Sequence, residues 1–138
     1  MSQPVTTIRN RREEFTRVVE AVDRLAAEHH LAPEVVGDMQ IALDEVLTNI
    51  VDYGYTDAAE HEIRIRLRVL DNVIEATIDD DGIPFNPLES AAPDTRAPLP
   101  ERRIGGVGLH FVKNLMSEVS YDRIGGRNFL VLRKKLTA

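Results

Sequence analysis

Apolar residues fall in two different rhythms along the chain, and the change from one to the other divides it. Over residues 12 to 28, Phe15, Val18, Val19, Val22, Leu25 and Ala26 recur every three or four positions on a charged background, which predicts an amphipathic helix. After His29, His30 and Leu31, the pair Ala32-Pro33 opens a second helix. Pro33 suits a first turn, where its missing N–H costs nothing, and Glu34 favours the dipole there. Val36, Met39, Leu43, Val46, Leu47 and Ile50 carry the stripe to about Val51, and Gly54 ends the helix.

From Ile63 the period becomes two. Ile63, Ile65, Leu67 and Val69 alternate with Arg64, Arg66 and Arg68, the pattern of a half-buried strand. The arginines read as a solvated sheet face, with a partner surface as the alternative. Asp71-Asn72 signals a turn, and Ile74, Ala76 and Ile78 alternate again, so an antiparallel hairpin is predicted. Prolines at 84, 87, 93, 98 and 100 then interrupt a stretch with no period, of a length that marks a functional loop or a disordered insert. Helical spacing returns at Phe111, Val112, Leu115 and Met116. Val119 and Tyr121 are expected to pair with Phe129, Val131 and their neighbours across a Gly125-Gly126 turn. This order predicts an α+β fold, a two-layer α/β sandwich whose mixed, mainly antiparallel sheet carries helices on one face.

The 138 residues suit one domain, taken to span 1–138. Seventeen basic against 23 acidic residues leave a net charge of −6, which argues against general nucleic-acid binding. With no cysteine, disulfides and thiolate chemistry are excluded. No apolar run reaches the roughly 18 residues of a membrane span, and the N-terminus lacks the apolar core of a signal peptide, so no membrane association and a cytoplasmic location are expected.

Three constellations could carry chemistry, each with a plainer alternative. Glu45 and Asn49 stand four apart, on one helix face and about 6 Å apart along its axis. A carboxylate there can accept a hydroxyl proton and an amide oxygen can ligate Mg²⁺, although a solvated helix face explains the pair as well. Asp79, Asp80 and Asp81, followed by Gly82, crowd three carboxylates at a strand end. A turn accounts for them. So does a site in which one Asp accepts from the exocyclic amine of adenine while Gly82 lets the backbone come close. Gly105, Gly106, Val107 and Gly108 open the helix that begins at Leu109, presenting N–H groups and a helix dipole to an anion; a glycine hinge is the alternative. No Gly-Lys-Ser/Thr follows, so this is not a Walker A loop. His61 and His110 receive no catalytic role.

In order and content the three resemble the Bergerat-fold (GHKL) ATPases, the superfamily of gyrase, Hsp-ninety chaperones, histidine kinases and mismatch-repair proteins. Within it, ALDEVLTNIVDYGY, DDDGIPFNP, GGVGLHFVKNLMSEVSYDR and GGRNFLVLRKKL look like the anti-sigma factor serine/threonine kinases of bacterial partner switching, the RsbW and SpoIIAB type. That resemblance implies Glu45 as general base and Asn49 as the residue holding Mg²⁺ against the phosphates of ATP. It implies Asp80 and Gly82 as the adenine motif, the segment from Gly105 to Leu109 as the phosphate loop, and 86–104 as an ATP lid. More weakly, it implies Arg17 as a partner contact. A sigma factor, a STAS-domain antagonist as phosphoryl acceptor and a homodimer are the implied partners. The chain departs from the family's D-x-G-x-G pattern at Pro84, which stiffens the turn. A nucleotide-gated binding module without kinase turnover is the alternative function.

Overall fold

The computed structural model describes residues 4–84 and 112–137. Strand β1 (Val5–Arg9) leads through a short 3-10 turn (Arg12–Glu14) into helices α1 (Phe15–His29) and α2 (Pro33–Tyr53). Strands β2 (Glu62–Leu70), β3 (Val73–Asp80), β4 (Glu118–Ile124) and β5 (Arg127–Lys135) follow. They form a five-stranded sheet in the order β1-β2-β3-β5-β4, and every pairing among the described residues is antiparallel. Of the predicted third helix, residues 112–116 are described, and 112–115 are helical. The predicted lid at 86–104 and the glycine loop from Gly105 to Leu109 lie outside the described residues.

Both tight hairpins turn on two residues at positive φ, the requirement of a type I′ turn that matches the twist of the flanking strands. These are Asp71 and Asn72 at 52° and 64°, and Gly125 and Gly126 at 58° and 77°. The turns fix the register, and the register sorts the side chains. Ile65, Ile78 and Leu130 align across three strands, as do Leu67, Ala76 and Leu132, all buried on one face. Helix α1 covers this face with Val18, Val22 and Leu25, and α2 with Met39, Leu43 and Leu47. Each such aliphatic side chain, removed from water, contributes about 1.5–3 kcal/mol.

The opposite face is polar and bound by ion pairs. Arg68 and Arg133 flank Glu75 at 2.7 and 2.8 Å, and Arg133 also reaches Glu118 at 2.9 Å. Burial pushes the Glu75 carboxyl up, but the two guanidinium hydrogen bonds outweigh it and hold the group below its ordinary pKa. Two of the three alternating arginines are thus tied across strands, Arg64 to Asp79 and Arg68 to Glu75, while Arg66 stands exposed. Among the described residues, no helix is long and apolar enough to cross a membrane.

Candidate nucleotide site

The last two turns of α2 meet the ends of β3 and β5 in a cleft of about 450 Å³, counting its open mouth. Val46, Asn49, Ile50 and Tyr53 line it from the helix. They stand at i, i+3, i+4 and i+7, the spacing that makes one stripe. Glu45 sits one residue off that stripe, half-buried and outside the lining. Asp80 and Ile83 close one wall, and Tyr121, Asn128 and Leu130 another.

Asn49 is 6% exposed. Its Nδ2 donates back to the Glu45 carbonyl at 2.7 Å, which fixes the orientation of the amide. Its Oδ1 is buried with no hydrogen-bond partner among the described residues. A buried acceptor left without a donor costs about 1–3 kcal/mol, so an orphan on a side chain that lines a cleft marks a place for a ligand. A carbonyl oxygen suits a hard cation such as Mg²⁺, which takes one or two protein ligands and completes its shell with phosphate and water. Among the described residues, no group of three or more His, Asp or Glu could hold a metal by itself.

Strand alternation separates the three consecutive aspartates. Asp79 points to the outer face, where Arg64 and Arg127 hold it at 2.9 and 2.6 Å. Asp80 continues the inward row of Ile74, Ala76 and Ile78 and is 4% exposed. Asp81 turns outward to His61 at 3.1 Å. Burial drives the Asp80 carboxyl above its ordinary pKa, opposed by hydrogen bonds from Asn128 and Gly82 and by the charge of Arg127. Both of those donors, the Gly82 N–H at 2.8 Å and Asn128 Nδ2 at 3.1 Å, reach the same oxygen, Oδ1. Oδ2 accepts nothing from the described residues.

The turn after Asp80 is clamped from two sides. The Ile83 N–H donates to the Gly54 carbonyl at 2.8 Å, Asn128 Nδ2 donates to the Ile83 carbonyl at 2.8 Å, and Arg123 donates to the Gly82 carbonyl at 2.7 Å. A Cβ at position 82 would lie 2.3 Å from the Gly54 carbonyl oxygen and 2.8 Å from Asp80 Oδ1, so only glycine fits. Pro84, in place of the pattern's last glycine, follows directly on this clamped turn.

Behind the cleft, His61 bridges two carboxylates, Asp57 at 2.7 Å and Asp81 at 3.1 Å, and stacks on Tyr55 with centroids 4.1 Å apart. The Asp57 hydrogen bond leads the causes that raise the His61 pKa. Arg17 is remote from the cleft. It donates to the Thr7 carbonyl at 2.6 Å and joins α1 to β1.

The cleft therefore offers apolar walls, one open carboxylate oxygen and one buried carbonyl oxygen. Such walls suit a flat heterocycle, and the carboxylate oxygen suits an amino group on it. The family model of the histidine kinase-like ATPase domain matches residues 8–134. The chain belongs to that family. Serine/threonine-protein kinase BtrW of Bordetella bronchiseptica is 30% identical over 94 residues, or 68% of this chain and 66% of that one. The anti-sigma F factor of Bacillus subtilis is 28% identical over 110 residues, covering 80% and 74%. The chain thus spans just under two thirds of BtrW's length. Among solved structures, the RsbU and RsbW domains of Rv1364c from Mycobacterium tuberculosis match with a TM-score of 0.66 at 19% identity, over 98% of this chain and 33% of that one. A histidine kinase domain from Erythrobacter litoralis matches with a TM-score of 0.53 at 17% identity, over 90% and 60%. These two likenesses establish the fold, which is that of the ATPase domains.

Of the residues singled out in the sequence, Asn49 and Asp80 share the cleft and Gly82 shapes its edge, while Glu45 borders it and Arg17 lies elsewhere. Tyr121 and Asn128 were missed as site residues. One signal was available: Asn128 is polar at an inward position of a strand whose next inward residues are Leu130 and Leu132.

Proposed function

We propose that the chain binds ATP in this cleft and acts as a protein-serine/threonine kinase and anti-sigma factor in a partner-switching system. Asp80 Oδ2 accepts from the adenine amino group, and the Asn49 Oδ1 holds Mg²⁺ against the phosphates. Bound there, the cation would offset the charge of the transferring phosphoryl group. Glu45, one turn before Asn49, takes the proton of the attacking hydroxyl on a STAS-domain antagonist. The phosphate-binding amides belong to the segment from Gly105 to Leu109. Dephosphorylated antagonist and a sigma factor compete for the protein, which works as a cytoplasmic homodimer with Arg17 at the partner surface. The observation that carries this reading is the juxtaposition of an unsatisfied Asn49 carbonyl and a half-open Asp80 carboxylate in one cleft.

One observation favours a second reading, a nucleotide-gated binding module without turnover: Glu45 is not among the described residues that line the cleft. Incubation with radiolabelled ATP, Mg²⁺ and a STAS-domain antagonist from the same organism separates the two. Label on a serine or threonine of the antagonist, lost with Glu45→Gln while ATP binding persists, supports the kinase. Nucleotide binding without transfer by wild-type protein supports the module. Asn49→Ala weakens binding of Mg-ATP more than binding of metal-free ADP; equal affinities would remove Asn49 from the cation site.

A further inference from the structure

Asn128 is placed to do more than fill the end of β5. It lies opposite Asp80 in the β3–β5 register and is 6% exposed. Its two amide protons go to two acceptors, Asp80 Oδ1 at 3.1 Å and the Ile83 carbonyl at 2.8 Å. Its Oδ1 accepts from the Tyr121 hydroxyl on β4. The Asp80 carboxylate and the Ile83 carbonyl only accept, so they settle which end of the amide faces them, and the Tyr121 hydroxyl is left to donate to the oxygen.

We propose that Asn128, oriented by Tyr121, is the positioning residue of the nucleotide carboxylate. It occupies one oxygen of Asp80 so that the other remains a single fixed acceptor for an exocyclic amino group, and it ties the 82–84 turn to that geometry. This rests on the reading of Asp80 as the adenine-binding group. Without Asn128 the carboxylate can rotate between two half-satisfied oxygens and loses one of the hydrogen bonds that keep it ionised in a buried setting. Among the described residues, the charged and titratable groups around Asp80 are Arg127 on β5, Arg123 and Tyr121 on β4, Asp81 next in the chain, and Tyr55 beyond α2, with His61 behind Asp81. None of these donates a hydrogen bond to either oxygen of Asp80, so none replaces the lost donor.

The test is calorimetric titration with metal-free ADP and with inosine diphosphate, which carries a 6-oxo group in place of the 6-amino group. Wild type and the variants Asn128→Leu, Tyr121→Phe and Asp80→Asn are compared between pH 5 and pH 8. For Asn128→Leu, ADP affinity is expected to fall at least tenfold at neutral pH, the size of a hydrogen bond to a charged group. Preference over inosine diphosphate shrinks, and the acid limb of ADP binding moves to higher pH. Tyr121→Phe, which removes one oxygen atom and keeps the ring, moves all three readouts the same way by about threefold.

Equal loss of both nucleotides in the two variants, with the pH profile unmoved, would reduce Asn128 to a structural role and overturn the assignment. So would wild-type behaviour of both variants. If Asn128→Leu fails to fold, Tyr121→Phe decides alone by the same readouts. Wild-type protein that takes up no ADP, or Asp80→Asn that binds ADP as tightly as wild type, sinks the nucleotide reading and this inference with it. Wild-type uptake lost in Asp80→Asn, beside unmoved Asn128 and Tyr121 variants, sinks this inference alone.

Discussion

The two faces of the sheet are made by the same strands and do opposite things with the same residue type. Asp79 and Asp80 are neighbours on β3, both about 4% exposed. On the outer face, two guanidiniums converge on one oxygen of Asp79, Oδ1, and set two positive charges against it. On the inner face, Asp80 ends an apolar row, receives two neutral donors on one oxygen, and keeps the other oxygen open. The lesson concerns desolvation: a carboxylate can bind a ligand's amino group strongly only where water is excluded and no stronger cation has already claimed it. The outer pairs, exposed on their arginine side, act as cross-strand fasteners of modest value.

This contrast breaks most visibly in the core. Ile78→Ala, beneath the helices, is expected to cost about 3 kcal/mol of unfolding free energy, against less than about 1 kcal/mol for its outward neighbour Thr77→Ala, read by denaturant titration. Next comes the acid pair. Asp80→Asn should weaken ADP binding about a hundredfold, while Asp79→Asn leaves ADP affinity within about threefold and lowers stability by about 1 kcal/mol. Equal effects on affinity would erase the distinction between the faces.

Gly82→Ala sharpens the inner side further. A methyl 2.3 Å from the Gly54 carbonyl oxygen must displace the clamped turn, so ADP affinity is expected to drop about tenfold, measured by calorimetry. The smallest effect belongs to His61. Its folded pKa is raised, so its pairing with Asp57 and Asp81 stabilises fully below the unfolded value of about 6.5 and fades as pH rises through the folded value. The gap in Tm between wild type and His61→Gln should therefore be widest near pH 5.5 and narrow toward pH 8.5. A gap that widened with pH would contradict the assigned pairing.

Much of the fold was legible because periodicity and turn chemistry agree. The alternation of Ile63 to Val69, the Asp71-Asn72 and Gly125-Gly126 turns, and Pro33 opening α2 all appear where the pattern put them. Strand β1 was not legible. Val5 to Arg9 carries two apolar residues in five, and only the placement of Ile8 in the core, 1% exposed, with backbone pairing to β2, makes it a strand. At the site, Asn49 and Asp80 stand out by residue type within local patterns. Asn128 and Tyr121 do not, since only the register imposed by the glycine turn brings them to Asp80 from 48 and 41 positions away. Glu45 stands half-buried one position before Val46, beside the stripe that lines the cleft.

The most direct test of the account is amide chemical-shift mapping as Mg-ATP is added to the ¹⁵N-labelled protein. The cleft between α2 and the ends of β3 and β5 predicts the largest changes at Gly54, Gly82 and Ile83 and at the side-chain amides of Asn49 and Asn128, with Glu75, Thr77 and Arg133 on the outer face unmoved. No change at saturating nucleotide, or changes gathered on the outer face, would contradict it.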